Sequence, residues 1–327
     1  MKIVFKGQHS KVQQVADAVR TAIIQGIFEE GNSLPSINQI SDQSACARDT
    51  VFKAYQLLKA EGIIQSEPMR GYYVATRIKR VLVLLDIFSP YKNDLYVALT
   101  KHIGAHHRLD LYFHHYNETH FESILQNSVG KYSKFLVMNL HHDRCMPILN
   151  TIDADKLLFL DFGNFEKNNR AYVMQDFDAA FYSCMVQAAH RFTCYKRLCM
   201  VFPRESRHPR SCVPYFHRFC DAYGLEAILM EDGWSEADIC ADTAYLWVSH
   251  ADLIDFVKVC RKNGLRIGQD VGAITFNDAP MLEVIERGIS SISVDFKEMG
   301  TLAARFIVED QHVQATLQTH LILRGSL

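Results

Sequence analysis

The sequence predicts an α/β protein in two parts: an N-terminal winged helix-turn-helix, then a two-lobed body with mostly parallel sheets. Three observations carry this. The first eighty residues hold three helix-period segments and two short strand runs. From Arg80 onward, apolar runs alternate with amphipathic stretches, the rhythm of a doubly wound sheet. Charge divides at the same place: residues 1–80 carry 11 Lys+Arg against 7 Asp+Glu, and the remainder 24 against 30, giving +4 and −6. A basic module on an acidic body fits a polyanionic partner for the first part.

Local signals justify each N-terminal element. Val12, Val15, Ala16, Val19 and Ile23 lie on one helical face, and Gly26 stands where a C-terminal cap ends that helix. IFEEGNSLPS is a turn cluster. Ser36 and Gln39 form a Ser-x-x-Gln capping box that opens a short second helix. Val51, Ala54, Tyr55 and Leu58 make the apolar face of a third helix, closed by Gly62. Ile63–Ser66 and Gly71–Ala75 read as two strands joined by a turn containing Pro and Gly. In a winged helix-turn-helix the third helix enters the major groove and the hairpin lies on the backbone or minor groove. The other reading of the topology is a small helical domain that binds protein.

ATRIKR, Ala75 to Arg80, is a short basic linker without Gly or Pro, too short for free tumbling. The expected division is therefore a module at 1–75, a linker at 76–80 and a body at 81–327. In the body, VLVLLDI, LDLYFHH, KFLVMNL, KLLFLDF, RLCMVF, LEAILM, TAYLWVS and VGAITFN read as strands. Amphipathic stretches at Leu95–Ile103, Asp178–Arg191, Ser211–Tyr223 and Asp252–Lys262 separate them. About ten strands point to two lobes rather than one sheet. Ligands in open α/β sheets sit at the strand carboxyl ends, so the expected site is the cleft between lobes.

Residues 9–75 resemble the GntR-type DNA-binding domain. The likeness rests on Gly26, Gly31, Leu34, Pro35, Ser36, Arg48, Thr50, Val51, Glu61, Gly62 and Gly71, which follow the family pattern in order. The resemblance implies double-stranded operator DNA as partner. Ser36 would meet a phosphate, and Arg48 would make a bidentate contact to guanine. Thr50 and Lys53 would meet phosphates, and Arg70 with Gly71 would form the wing tip. Three departures stand out: Ala47 replaces the usual Ser, Ile37 and Asn38 follow the Pro-Ser pair where Arg or Glu is common, and the wing lacks the first of two usual glycines.

Residues 80–327 resemble the periplasmic-binding-protein-like effector domain of LacI-type regulators. The second half carries most of the likeness, through VGAITFNDAPMLEVIERGISSISVDFKEMGTLAARFI and THLILRGSL. It implies a small molecule between the lobes, usually a sugar or nucleoside. Asn277 stands at a family ligand position normally occupied by Asp. Its amide both donates and accepts, as recognition of adjacent hydroxyls requires. Ser249 and His250 lie near a second such position and Arg210 near a third. Asp86, Phe88, Tyr91 and Asn93 follow the first strand and could supply a polar clamp with a stacking ring. Phe162 is a further candidate platform.

The two resemblances imply a cytoplasmic, homodimeric regulator and, by family habit rather than from any residue, a repressor released by a pentose or deoxyhexose such as arabinose or fucose. The alternative is an α/β sugar-metabolising enzyme with an N-terminal protein-interaction domain. No run nears the roughly 20 apolar residues of a membrane span, and MKIVFKGQHSKVQQ lacks a signal-peptide h-region. The nine cysteines are scattered without a CxxC pair, which suits reduced thiols. Histidine pairs at 106–107, 114–115 and 141–142 lack the i, i+4 spacing of helical zinc ligands. GxGxxG, GxxxxGK[ST] and GxSxG are absent. The expectation is therefore no catalytic residue, no metal and no cofactor.

Overall fold

The computed structural model describes residues 10–75, 78–138, 145–162, 167 and 169–327. Residues 76–77 of the expected linker and the HHDR run at 141–144 lie outside this set. The chain forms two compact units, residues 1–79 and 80–327.

The first unit contains α1 (Lys11–Ile24), α2 (Ile37–Ser44), α3 (Arg48–Ala60), β1 (Ile64–Glu67) and β2 (Gly71–Val74). Its core joins Val15, Ala16 and Val19 of α1, Ile40 of α2, and Val51, Ala54, Tyr55 and Leu58 of α3. The Ser36–Gln39 capping box has both halves: the Gln39 N–H donates to Ser36 Oγ at 3.2 Å, and the Ser36 N–H to Gln39 Oε1 at 2.7 Å. Tyr55 fixes α3 against the preceding loop by donating its hydroxyl to the Pro35 carbonyl at 2.7 Å. Ala47 caps α3 in an extended conformation without a side-chain bond, so the missing hydroxyl leaves an N–H group uncapped. β1 and β2 pair antiparallel from Ile64↔Val74 to Glu67↔Gly71. Met69 at φ 66° and Gly71 at φ 80° turn the chain between them.

The second unit begins with β3 (Lys79–Leu85), α4 (Pro90–His102), β4 (His107–Phe113), α5 (Glu118–Gln126), β5 (Lys134–Val137), α6 (Cys145–Leu149), β6 (Leu157–Asp161) and β7 (Ala171–Met174). It continues with α7 (Ala179–Gln187), α8 (Ala189–Phe192), β8 (Arg197–Val201), α9 (Cys212–Tyr223), β9 (Glu226–Met230), β10 (Thr243–Trp247) and α10 (His250–Asn263). The last elements are β11 (Val271–Phe276), α11 (Met281–Val284), β12 (Ser290–Ser293), α12 (Phe296–Val308), β13 (Gln314–Thr316) and β14 (His320–Ile322).

Two six-stranded sheets result, ordered β13-β7-β6-β5-β3-β4 and β14-β12-β11-β10-β8-β9. In each, the first five strands of the lobe follow the doubly wound order 2-1-3-4-5, whose switch point opens a crevice at the strand carboxyl ends. Pairing is parallel along the ladders, while β12 and β14 run antiparallel. The central strands β3, β6, β10 and β11 are buried on both faces, which is why they read as unbroken apolar runs. The helix expected over 178–191 is divided at Ala188 into α7 and α8. α12 returns late in the chain to pack on α4 of the first lobe. A Cβ at Gly300 would lie 2.2 Å from the Leu95 carbonyl oxygen, so only glycine permits this approach.

Among the described residues no helix is long and apolar enough to cross a membrane. No group of three or more His, Cys, Asp or Glu residues is placed there to hold a metal ion.

Candidate functional site

Two sites emerge, one in each unit. On α3 the buried residues occupy one face and leave Arg48, Asp49, Phe52, Lys53 and Gln56 exposed. Arg48, in the first turn, makes no hydrogen bond or ion pair among the described residues, so its guanidinium is available. Lys53 is tied to Asp49 at 2.7 Å, an exposed i, i+4 pair worth little and easily exchanged for a phosphate. Thr50 is half-buried beside them. Ser36 is exposed, but its Oγ already caps α2. Arg70 is held at the hairpin: its guanidinium stacks over Tyr73 at 4.0 Å and donates to the Gly31 carbonyl at 2.9 Å. Gly71 closes the wing turn and is exposed.

In the second unit a cavity of about 540 Å³ lies between the lobes, within the range of small-molecule sites. From the first lobe, Asp86, at the end of β3, is buried and carries three bonds. It accepts from the Ile87 N–H at 2.6 Å, from the Tyr116 hydroxyl at 2.7 Å and from the Lys92 ammonium. Burial works against the charge on Lys92, but Tyr91, Asp86 and Asp161 outweigh it and raise its pKa. Asp161 ends β6, where Gln175 donates to its carboxylate. Burial, with the charge of Asp86, pushes its pKa up to about 6 against the opposing pull of Lys92.

The second lobe adds Asn277, at φ 61° directly after β11. Its Oδ1 is buried without a hydrogen-bond partner among the described residues. His250 Nε2 sits 3.0 Å and 2.9 Å from the carbonyls of Phe276 and Asn277. Two carbonyl acceptors require a proton on that nitrogen, which fixes the ring. Burial lowers the pKa of His250 and takes that of His208 down to about 3, so both are neutral at pH 7. His208 Nε2 is buried and unpartnered, and its ring lies against Phe276 at 4.1 Å and Phe177 at 4.9 Å. Tyr91 meets His250 edge-on at 5.9 Å, linking the two walls. Phe88, 68% exposed, and Phe162 present ring surface to the cavity.

Seven expected residues therefore converge here: Asp86, Phe88, Tyr91, Phe162, Ser249, His250 and Asn277. Ser249 also caps α10 through the Asp252 N–H at 3.2 Å. Asn93 and Arg210 lie outside the lining. Asn93 is on the exposed side of α4, because the helix begins at Pro90 and turns it away from Lys92. Arg210 is drawn off by an ion pair with Glu231 and by stacking over Phe202 at 5.0 Å. Sequence reasoning missed Lys92, Tyr116, Asp161, Gln175 and His208. Asp161 carried the same signal as Asp86, an acid ending an apolar run.

Residues 11–74 match the family described as bacterial regulatory proteins, gntR family, and residues 195–327 match the periplasmic binding protein-like domain. The chain joins a gntR-type helix-turn-helix module to a periplasmic-binding-protein-like domain. The chain is 43% identical over 65 residues to the uncharacterized HTH-type transcriptional regulator YdcR of Escherichia coli (strain K12), covering 20% of this chain and 14% of that protein. It is 32% identical over 71 residues to the HTH-type transcriptional repressor YtrA of Bacillus subtilis (strain 168), covering 22% and 55%.

The periplasmic-binding-protein-like domain resembles solved structures in fold. A LacI family transcriptional regulator from Lactobacillus casei with bound sucrose superposes with a TM-score of 0.64 at 14% identity, covering 76% of this chain and 100% of that one. The trehalose repressor from Escherichia coli gives 0.63 at 12%, covering 75% and 99%.

Proposed function

We propose that this protein is a DNA-binding transcription regulator whose body senses a small, hydroxyl-rich ligand. The reading rests on one observation: a gntR-type helix with an uncommitted Arg48 shares a chain with a ligand-sized cavity between two lobes. Arg48 and the exposed groups around it suit phosphates and base edges. In the cavity, Asp86, Asp161 and the unpaired Asn277 Oδ1 offer acceptors to ligand hydroxyls, and Phe88 and Phe162 offer ring faces to its C–H surfaces. Lys92 is committed to Asp86, and the other cation of the lining is the exposed Arg207, which has no ion pair among the described residues.

A sugar fits this chemistry, and the Lactobacillus casei neighbour with bound sucrose supports it. A pentose or deoxyhexose is the size we favour. YtrA and the trehalose repressor support repression relieved by ligand over activation. The protein would act in the cytoplasm as a homodimer on a palindromic operator, matching its symmetry to the half-site spacing. Ligand binding changes the closure of the lobes, and a difference of about 1–3 kcal/mol between the two states alters DNA affinity several-fold or more.

The test is a gel shift on the DNA upstream of the protein's own gene at low and moderate salt. Wild type should shift it, less at higher salt because phosphate contacts release counterions, and Arg48→Ala should lose the specific band. Absence of any shift at low salt would remove the regulator reading.

A further inference from the structure

We infer that Phe52 reads the C5-methyl group of a thymine within two base pairs of the one contacted by Arg48. This rests on the regulator reading above and goes on to one specificity element. Phe52 is 45% exposed on α3, whereas Val51, Ala54, Tyr55 and Leu58 are wholly buried. It takes no part in the core of the unit. Along the helix surface it stands four residues after Arg48 and four before Gln56, so the three form one exposed column. Gln56 already donates to the Tyr72 hydroxyl of the hairpin at 3.2 Å. Asp49 and Lys53 pair with each other in the neighbouring column. The outward face of this helix thus carries a cation without a partner among the described residues and, one turn further on, a half-exposed aromatic ring.

The major groove explains that combination. Guanine offers two acceptors to an arginine fork, while thymine alone among the four bases presents an apolar group, its methyl. One helical turn advances about 5.4 Å, or one to two base pairs at a rise of about 3.4 Å. The thymine is therefore within two base pairs of the guanine. The positive charge of residues 1–80, 11 basic against 7 acidic, favours nucleic acid over an apolar protein partner for this face.

The experiment selects duplexes from a random pool with the full chain as wild type, Phe52→Ala and Phe52→Leu. Wild type should enrich a thymine within two base pairs of a guanine. Phe52→Ala should keep the guanine and lose the thymine, with an unchanged melting temperature because the ring lies outside the core. Phe52→Leu should retain part of the preference. Replacing that thymine by deoxyuridine removes only the methyl group. It should weaken wild type about four-fold and leave Phe52→Ala unaffected. Identical enriched sites for wild type and Phe52→Ala, or equal wild-type affinity for thymine and deoxyuridine, would overturn the inference while leaving DNA binding intact. If wild type enriches no sequence at all, the regulator reading falls and this inference with it.

Discussion

Lys92 and Asp86 form a buried ion pair at the first-lobe wall of the cavity, with side chains 3% and 1% exposed. The pair is completed by the Tyr116 hydroxyl and the Ile87 N–H, so both carboxylate oxygens have donors. Removing one member of such a pair strands the other charge away from water, at about 3–5 kcal/mol. Lys92→Met should therefore destabilise the body by that amount in urea unfolding. The double variant Lys92→Met/Asp86→Asn should recover much of the loss, because no buried charge is left unpaired. Equal losses in the single and double variants would count against the pair as an electrostatic unit.

Acid stability has opposing contributors whose signs follow from the cavity. The Asp161 carboxyl, near 3.8 when free, is raised to about 6 by burial, so the folded state holds its proton more tightly. Its contribution grows as pH falls from 6 toward 4 and is lost as pH rises through 6. The histidines act the other way. Burial lowers His114 to about 4 and His208 to about 3, from an ordinary 6.5, so the unfolded chain takes up protons first. Their contribution is present above 6.5 and is lost on acidification. Two histidines outweigh one aspartate, and wild type should lose stability between pH 6 and 4. Asp161→Asn should steepen that loss, by up to roughly 3 kcal/mol across the window. Denaturant midpoints at three pH values would decide it, and an unchanged or shallower slope in Asp161→Asn would refute the assignment.

Ala47 leaves α3 without a side-chain cap although its backbone, at φ −61° and ψ 142°, is in the conformation a capping residue adopts. Ala47→Ser should stabilise the N-terminal module by about 1 kcal/mol, read as a higher melting temperature. No gain would mean that the α3 N–H groups are already satisfied by solvent at no cost.

The cations of the lining also bear on ligand charge. In thermal-shift titrations free sugars should stabilise the protein, and any added stabilisation by a phosphate ester should be lost in Arg207→Ala, because Lys92 is committed to Asp86. A phosphate-ester gain kept in Arg207→Ala would show that Lys92 exchanges Asp86 for the ligand.

Legibility in the sequence followed the range of the interactions. The Ser36–Gln39 box, the apolar face of α3 and the turn at Gly71 depend on neighbours within a few positions, and their residues announced them. The central strands β3, β6, β10 and β11 were visible because burial on both faces makes them uniformly apolar. β7 and β13 were not. Each has three or four residues, and they pair with each other across about 140 positions. α12 showed itself only through resemblance, although its packing on α4 completes the first lobe. The same distinction governs the cavity. Asn277 and His250 were found through a matched motif, but Lys92, Tyr116, Asp161 and Gln175 come together only through strand order. Arg210 failed as a cavity residue because Glu231, brought alongside at the end of β9, captured its charge.

On the proposed function, a ligand in the cavity controls the affinity of α3 for DNA. That control is tested most directly by fluorescence anisotropy of an upstream-DNA duplex, with and without a sugar identified by thermal shift. The comparison is wild type against Asn277→Ala. The sugar should weaken wild-type DNA affinity at least five-fold, while Asn277→Ala should bind the DNA equally well and no longer respond. DNA affinity unchanged by a sugar that demonstrably binds wild type, or a full response in Asn277→Ala, would contradict it.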